Sequence, residues 1–132
     1  MTAGGLVSLR SHDGPQETMN RLDAAVRARG MTVFAHIDHA AEAKKVGLRL
    51  RPTQVLIFGN PQAGTPLMQS QQTIGLDLPL RVLVWEDEAG KVWLVYHPLD
   101  FLAQLHHVAD RAEAVKALDA GLAALARAAT AP

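Results

Sequence analysis

Residues 54–97 read QVLIFGNPQAGTPLMQSQQTIGLDLPLRVLVWEDEAGKVWLVYH, and their reading decides the fold. Three short apolar runs, QVLIFG (54–59), LPLRVLVWE (78–86) and KVWLVYH (91–97), are rich in β-branched and aromatic residues. Such runs are strands. The charged tetrapeptide 87–90 between the last two predicts a hairpin. Residues 60–77 carry the densest cluster of Gly, Pro and Asn. Without a continuous 3.6-residue stripe, they predict an irregular loop with one or two helical turns around 67–73.

The hairpin is apolar on both faces. Leu80, Val82 and Val84 alternate with Arg81, Leu83 and Trp85, and Val92, Leu94 and Tyr96 alternate with Trp93 and Val95. An antiparallel sheet with one wet face carries polar residues there. Helices on one side therefore leave Leu83, Trp85, Trp93 and Val95 needing a cover. The candidates are a partner subunit, a ligand, or the loop together with the N-terminal segment. A homodimer through these four residues is the expectation.

Working outward, LVSLRS (6–11) and MTVFAHI (31–37) are two more strands, with residues 1–5 frayed. In 31–37, strict alternation puts Met31, Val33, Ala35 and Ile37 on one face and Thr32, Phe34 and His36 on the other. Between these strands, Asp13 or Gly14 before Pro15, and Gly30 as the stop, bracket a helix that buries Met19, Leu22 and Val26. Asp38 caps a short helix through Lys45 that stops at Gly47. After Pro98, residues 99–107 and 110–129 are helical with a break or bend near 107–110. Val115, Leu118, Leu122 and Leu125 form the buried stripe of the last helix.

Composition narrows the function classes. The chain has 132 residues, 13 Lys plus Arg against 13 Asp plus Glu, and no cysteine. One domain spanning 1–132 is expected. Thiolate chemistry and disulfides are excluded. Zero net charge argues against nucleic acid, whose phosphates demand a basic surplus or face. The only basic cluster, Lys44, Lys45, Arg49 and Arg51, reads as a solvated edge. No apolar run reaches the ~20 residues of a membrane span, and no signal peptide is visible. A cytoplasmic protein off the membrane is expected.

Several residues carry chemistry. His36, Asp38 and His39 are metal-ligand types, and a metal-assisted enzyme using them is one reading. The competing reading is structural: Asp38 caps a helix, His39 starts it, and His36 lies on the surface. The short motif lacks the spacing of established metal signatures. His106 and His107 point about 100° apart on a helix end, which suits a structural role. Gly59, Asn60 and Pro61 follow a strand, yet form neither phosphate-loop nor dinucleotide signature; turn chemistry explains them. Glu86, Asp87 and Glu88 read as a solvated hairpin tip. Asp77 stands among Ile74, Leu76, Leu78 and Pro79, where a carboxylate needs a partner. No Ser-His-Asp arrangement is legible, and no cofactor is named by any motif.

The order Phe34-x-x-Ile37-Asp38-His39-x-x-x-Ala43, then VLIFGNP (55–61), GTPLM (64–68) and LDLPL (76–80), resembles the DUF302 family over residues 6–107. The resemblance implies an α+β fold of TATA-binding-protein-like topology. An antiparallel five-stranded sheet, in the order strand–helix–four strands–helix, is backed by helices and followed by an extra C-terminal helix at 108–128. It also implies pairing through the sheet surface. It implies no catalytic residue, since the family's function is unknown. The expectation is a homodimer that binds a small ligand or a partner, with His36, Asp38, His39, Phe58, Asn60, Thr65, Met68 and Asp77 lining the site.

Overall fold

In the computed structural model, which describes residues 2–132, the chain opens with β1 (Thr2–Ala3), β2 (Leu6–Arg10), α1 (Pro15–Ala28), β3 (Thr32–Asp38) and α2 (His39–Lys45). β4 (Thr53–Gly59), α3 (Pro61–Ser70) and a 3-10 turn (Gln72–Leu76) follow. β5 (Leu80–Glu86), β6 (Val92–Tyr96), α4 (Leu99–Leu105) and α5 (Ala112–Thr130) complete it. The strands form one sheet in the order β1-β2-β6-β5-β4-β3, antiparallel at every pairing. The five expected strands are β2 to β6, and the fold is α+β.

One face of the sheet is the core. Leu56 and Phe58 of β4, Val82 and Val84 of β5, and Leu94 of β6 are nearly or wholly inaccessible. They meet Met19, Leu22 and Val26 of α1, and Leu122 and Leu125 of α5, in a single cluster. Burying each of these large aliphatic side chains contributes roughly 1.5–3 kcal/mol, so this layer is the main stabilising contact. α1 starts at Gly14 with Pro15 in its first turn and ends before left-handed Gly30, as its sequence signals require.

The other face is uncovered. Val55, Ile57, Leu83, Trp85, Trp93 and Val95 share it, each partly exposed and none in the core cluster. The loop and the N-terminal segment do not cover it. α3 joins the helix-side core through Leu67, and β1 extends the sheet edge.

Three local expectations need correction. Residues 2–5 are not frayed: Thr2 and Ala3 pair with Val7 and Leu6 around Gly4 and Gly5, both left-handed. Two consecutive positive φ angles are what a two-residue hairpin demands, and glycine supplies them without steric cost. Met1 lies outside the described residues. In β3 a register shift between Val33 and Ala35 breaks the alternation. Val33 pairs with core-facing Phe58, whereas Ala35 and Ile37 pair with Ile57 and Val55 on the open face. The stretch after Gly59 is a ten-residue helix rather than one or two turns. Asn60 and Pro61, read as turn residues, are its N-cap and first position, and burial of Leu67 outweighs the poor propensity of Gly64 and Pro66.

Candidate functional site

The motif segments quoted above for their order meet in space. β4 delivers Gly59 to the end of the sheet, and the Asn60 side chain accepts a hydrogen bond from Gln62 N at 2.9 Å, turning the chain into α3. α3 then presents Gly64, Thr65 and Met68 toward Leu78, Pro79 and Leu80, where the Leu78–Pro79 peptide is cis. From the opposite side comes Phe34, the residue at the β3 register shift. Bulges re-aim side chains, and Phe34 stands 52% exposed against this concavity instead of joining the core. Together they enclose about 180 Å³ with a mainly apolar lining.

Gly64 is informative here. Glycine inside a helix costs stability, and Gly64 is not among the left-handed glycines. A Cβ at this position would meet only Leu78 Cδ1, at 3.7 Å, an ordinary contact. Packing therefore does not require glycine, and an added side chain would project among the groups that line the pocket.

The expected site residues do not all gather. Asn60, Thr65 and Met68 line the pocket, while Phe58 is wholly buried in the core. His36, Asp38 and His39 lie at the Asp38–Gln54 end of the β3–β4 ladder. The pocket is at the Thr32–Gly59 end, about 16 Å from the Asp38–Gln54 pair and about 10 Å from the His36–Leu56 pair at ~3.3 Å per residue. His36 Nε2 is 2.6 Å from Gln54 Oε1, and Gln54 Nε2 donates to Gln16 Oε1 at 3.1 Å. The imidazole is therefore protonated at Nε2. Asp38 accepts from Ala41 N at 2.9 Å as the cap of α2, and His39 is exposed. Among the described residues no group of three or more His, Asp or Glu is placed to hold a metal ion.

Asp77 has its partner. His106 Nε2 lies 2.6 Å from Asp77 Oδ2 and its Nδ1 lies 3.1 Å from Thr73 Oγ1. Nε2–H donates to the carboxylate, and Nδ1 shares a hydrogen bond with the hydroxyl. His107, with φ of 60°, ends α4 and leaves His106 turned inward. The sequence suggested that Asp77 needed a partner, but nothing linked it to a residue 29 positions later.

Two other carboxylates do more than their sequence context suggested. Asp87 is not merely solvated: it accepts from Trp93 Nε1 at 3.0 Å and from the backbone N–H of Ala89 and Lys91, both at 2.9 Å. The Trp93 indole foremost, and then the Lys91 amide, hold its carboxyl below the usual range. Asp87 thereby fixes the hairpin and one tryptophan of the open face. Asp119, on α5, accepts from Leu99 N at 2.7 Å and caps α4 from outside that helix.

Known proteins add the following. The family described as "Domain of unknown function DUF302" matches residues 7–129, a span that runs on through α5. A crystal structure titled as that of an uncharacterized conserved protein DUF302 from Bacillus stearothermophilus superposes with a TM-score of 0.84. It covers 96% of this chain and 99% of that one at 21% identity, and so shares the fold. The chain is also 49% identical over 118 residues to proteins named fluoride-specific ion channel FluC 1 in Brucella suis and FluC 2 in Brucella melitensis. The match takes in 89% of this chain but only 46% and 44% of those proteins, so the chain spans less than half of their length. Among the described residues no helix is long and apolar enough to cross a membrane. The match over nearly the whole chain and the shared fold place it in one family: this protein belongs to the DUF302 family.

Proposed function

We propose that this protein is a homodimeric binding domain whose ligand is a small, largely apolar molecule held in the pocket between Phe34, α3 and the Leu78–Pro79 segment. The observation that carries this reading is the convergence of four separate sequence segments on one concavity, with a helical glycine in its wall. Binding sites are typically concave and apolar with few polar groups, and here Asn60 and Thr65 stand at the mouth. A volume of about 180 Å³ suits a small metabolite, not a nucleotide. The pairing surface is the open sheet face, where Trp85 and Trp93 are directly opposed across β5 and β6. Asp87 satisfies the Trp93 N–H, so that ring can be covered without leaving a donor unpaired.

The metal-assisted reading of His36, Asp38 and His39 has less support, because Asp38 is spent on a helix cap and His36 on Gln54. In relation to the Brucella proteins, our reading gives this chain the part of an accessory domain and not that of the pore.

Native mass spectrometry of the purified protein, beside Gly64→Leu and Trp85→Glu variants, tests both halves. A dimer carrying a small added mass that Gly64→Leu loses supports the reading, as does a monomer for Trp85→Glu. A wild-type monomer removes the dimer. If apolar fragments soaked at millimolar concentration bind wild type and Gly64→Leu equally, the pocket assignment fails.

A further inference from the structure

A second cavity lies on the other side of the Leu76–Leu80 segment, and its chemistry differs. The β5–β6 ladder ends at the pair Leu83 and Val95. Beyond it the ladder does not continue to Val82 and Tyr96, and Arg81 and His97, one register step further on, border a cavity of about 200 Å³ together with Asp77. Its floor is Leu80, Leu102 and Leu122, all at most 5% exposed.

We propose that this cavity binds a small zwitterion of the α-amino-acid type, with Arg81 taking the carboxylate, Asp77 the ammonium and the leucine floor an aliphatic side chain. This assignment does not rest on the apolar pocket described above.

Two opposite charges line the cavity yet do not pair with each other. Asp77 is joined to His106, and Arg81 Nη2 donates to Leu76 O at 2.8 Å. A guanidinium has five N–H donors in a planar fork, so most of them stay available for a carboxylate. A ligand carrying both charges closes the gap that the side chains leave open. A ligand with one charge engages only one of the two side chains.

The site is also held in place before anything binds. The His106 side chain is 9% exposed and fixed by Thr73, so it pins one Asp77 oxygen and leaves the carboxylate's remaining acceptor capacity for a ligand. His97 forms the far wall. Its Nδ1 lies 2.8 Å from Gly5 O and its ring stacks on Phe101 at 5.2 Å between centroids. Groups held in position lose little freedom on binding, which favours affinity. His106 is a positioning residue in this scheme, since it acts through Asp77.

The test uses L-leucine and its two singly charged analogues, 4-methylpentanoate and 3-methylbutylamine, followed by amide chemical shifts and by calorimetry on the full chain. Saturable leucine binding is expected, with shifts centred on Asp77, Arg81 and His97, and each analogue weaker by at least roughly tenfold because it forgoes one of the two charge-assisted contacts. Arg81→Gln, at an exposed position that leaves the fold intact, should weaken leucine by a similar factor and leave 3-methylbutylamine unchanged. Asp77→Asn should do the reverse, sparing 4-methylpentanoate. The proposal is overturned if neither leucine nor alanine saturates at millimolar concentration, or if Arg81→Gln binds leucine as wild type does. Shifts centred on Phe34, Gly64 and Met68 would likewise overturn it, while leaving the apolar pocket as the binding site.

Discussion

Replacing Gly64 with alanine should make the protein more stable and its pocket narrower. Within a helix, alanine is better than glycine by roughly 0.5–1 kcal/mol, because the glycine backbone surrenders more freedom on folding. That gain is kept only where the added methyl meets no obstacle and the backbone suits an L side chain. Both conditions hold. Gly64 donates the α-helical bond to Asn60 O at 3.0 Å, and its new Cβ would sit 3.7 Å from Leu78 Cδ1. For a domain of this size, 1 kcal/mol moves the midpoint by about 3–5 °C, so a rise of ~2–4 °C is expected. Differential scanning calorimetry and urea unfolding followed by the two tryptophans measure it independently. A fall in stability would refute the reasoning, because it would mean that the backbone or the packing requires glycine here. A rise in stability together with weaker binding of apolar fragments is the signature of a residue kept small for the pocket.

Other perturbations address the remaining elements. Leu94→Ala, at a wholly buried position beneath α1 and α5, should cost ~2–5 kcal/mol by chemical denaturation. Trp85→Glu should give a cooperatively folded monomer by light scattering; a dimer of unchanged mass would show that the open face is not the interface. Because the folded-state pKa of Asp87 is depressed, the stability it contributes is complete above the ordinary aspartate value of about 3.9 and fades as pH falls through the lower folded value. Asp87→Asn should therefore lower stability at neutral pH, and its difference from wild type should shrink on acidification. Tyr96 is the sole tyrosine, and its pKa is raised by burial first and by Asp119 second. An absorbance titration should show ionisation above the ordinary range, with Asp119→Asn bringing it down. The stability Tyr96 adds is full below the unfolded tyrosine value and is lost as pH rises through the raised one.

Much of this molecule was legible because its signals are local. The strands at 54–59, 78–86 and 91–97 declare themselves as short apolar runs rich in β-branched and aromatic residues, and the first helix through Pro15, Gly30 and the Met19, Leu22, Val26 stripe. Asp38 was legible as a cap because an Asp before an alanine-rich segment acts within three residues. Where two local signals conflicted, reading failed. Gly64 and Pro66 masked α3, although Asn60 and Pro61 form a sound helix start. The β3 register shift was invisible, since alternation in one strand says nothing about the registry of its partner, and Phe34 was assigned with His36 instead of to the pocket.

The sequence by itself determined five of the six strands, their order along the chain, the core face of the hairpin, the apolar character of its second face and the family. Each of these depends on periodicity or on residues close together in the chain. The tertiary structure alone decided that Asp77 meets His106 and Thr73, that Arg81 borders the same cavity without pairing with Asp77, and that Asp119 caps α4. It also drew Phe34, Gly64 and Pro79 around one pocket while leaving His36 and Asp38 at the far end of the ladder. The longest-range of these contacts join groups 29 residues apart, as Asp77 and His106 are, or 45, as Phe34 and Pro79 are, and their distances follow from how helices seat on a twisted sheet, a quantity that no local pattern encodes.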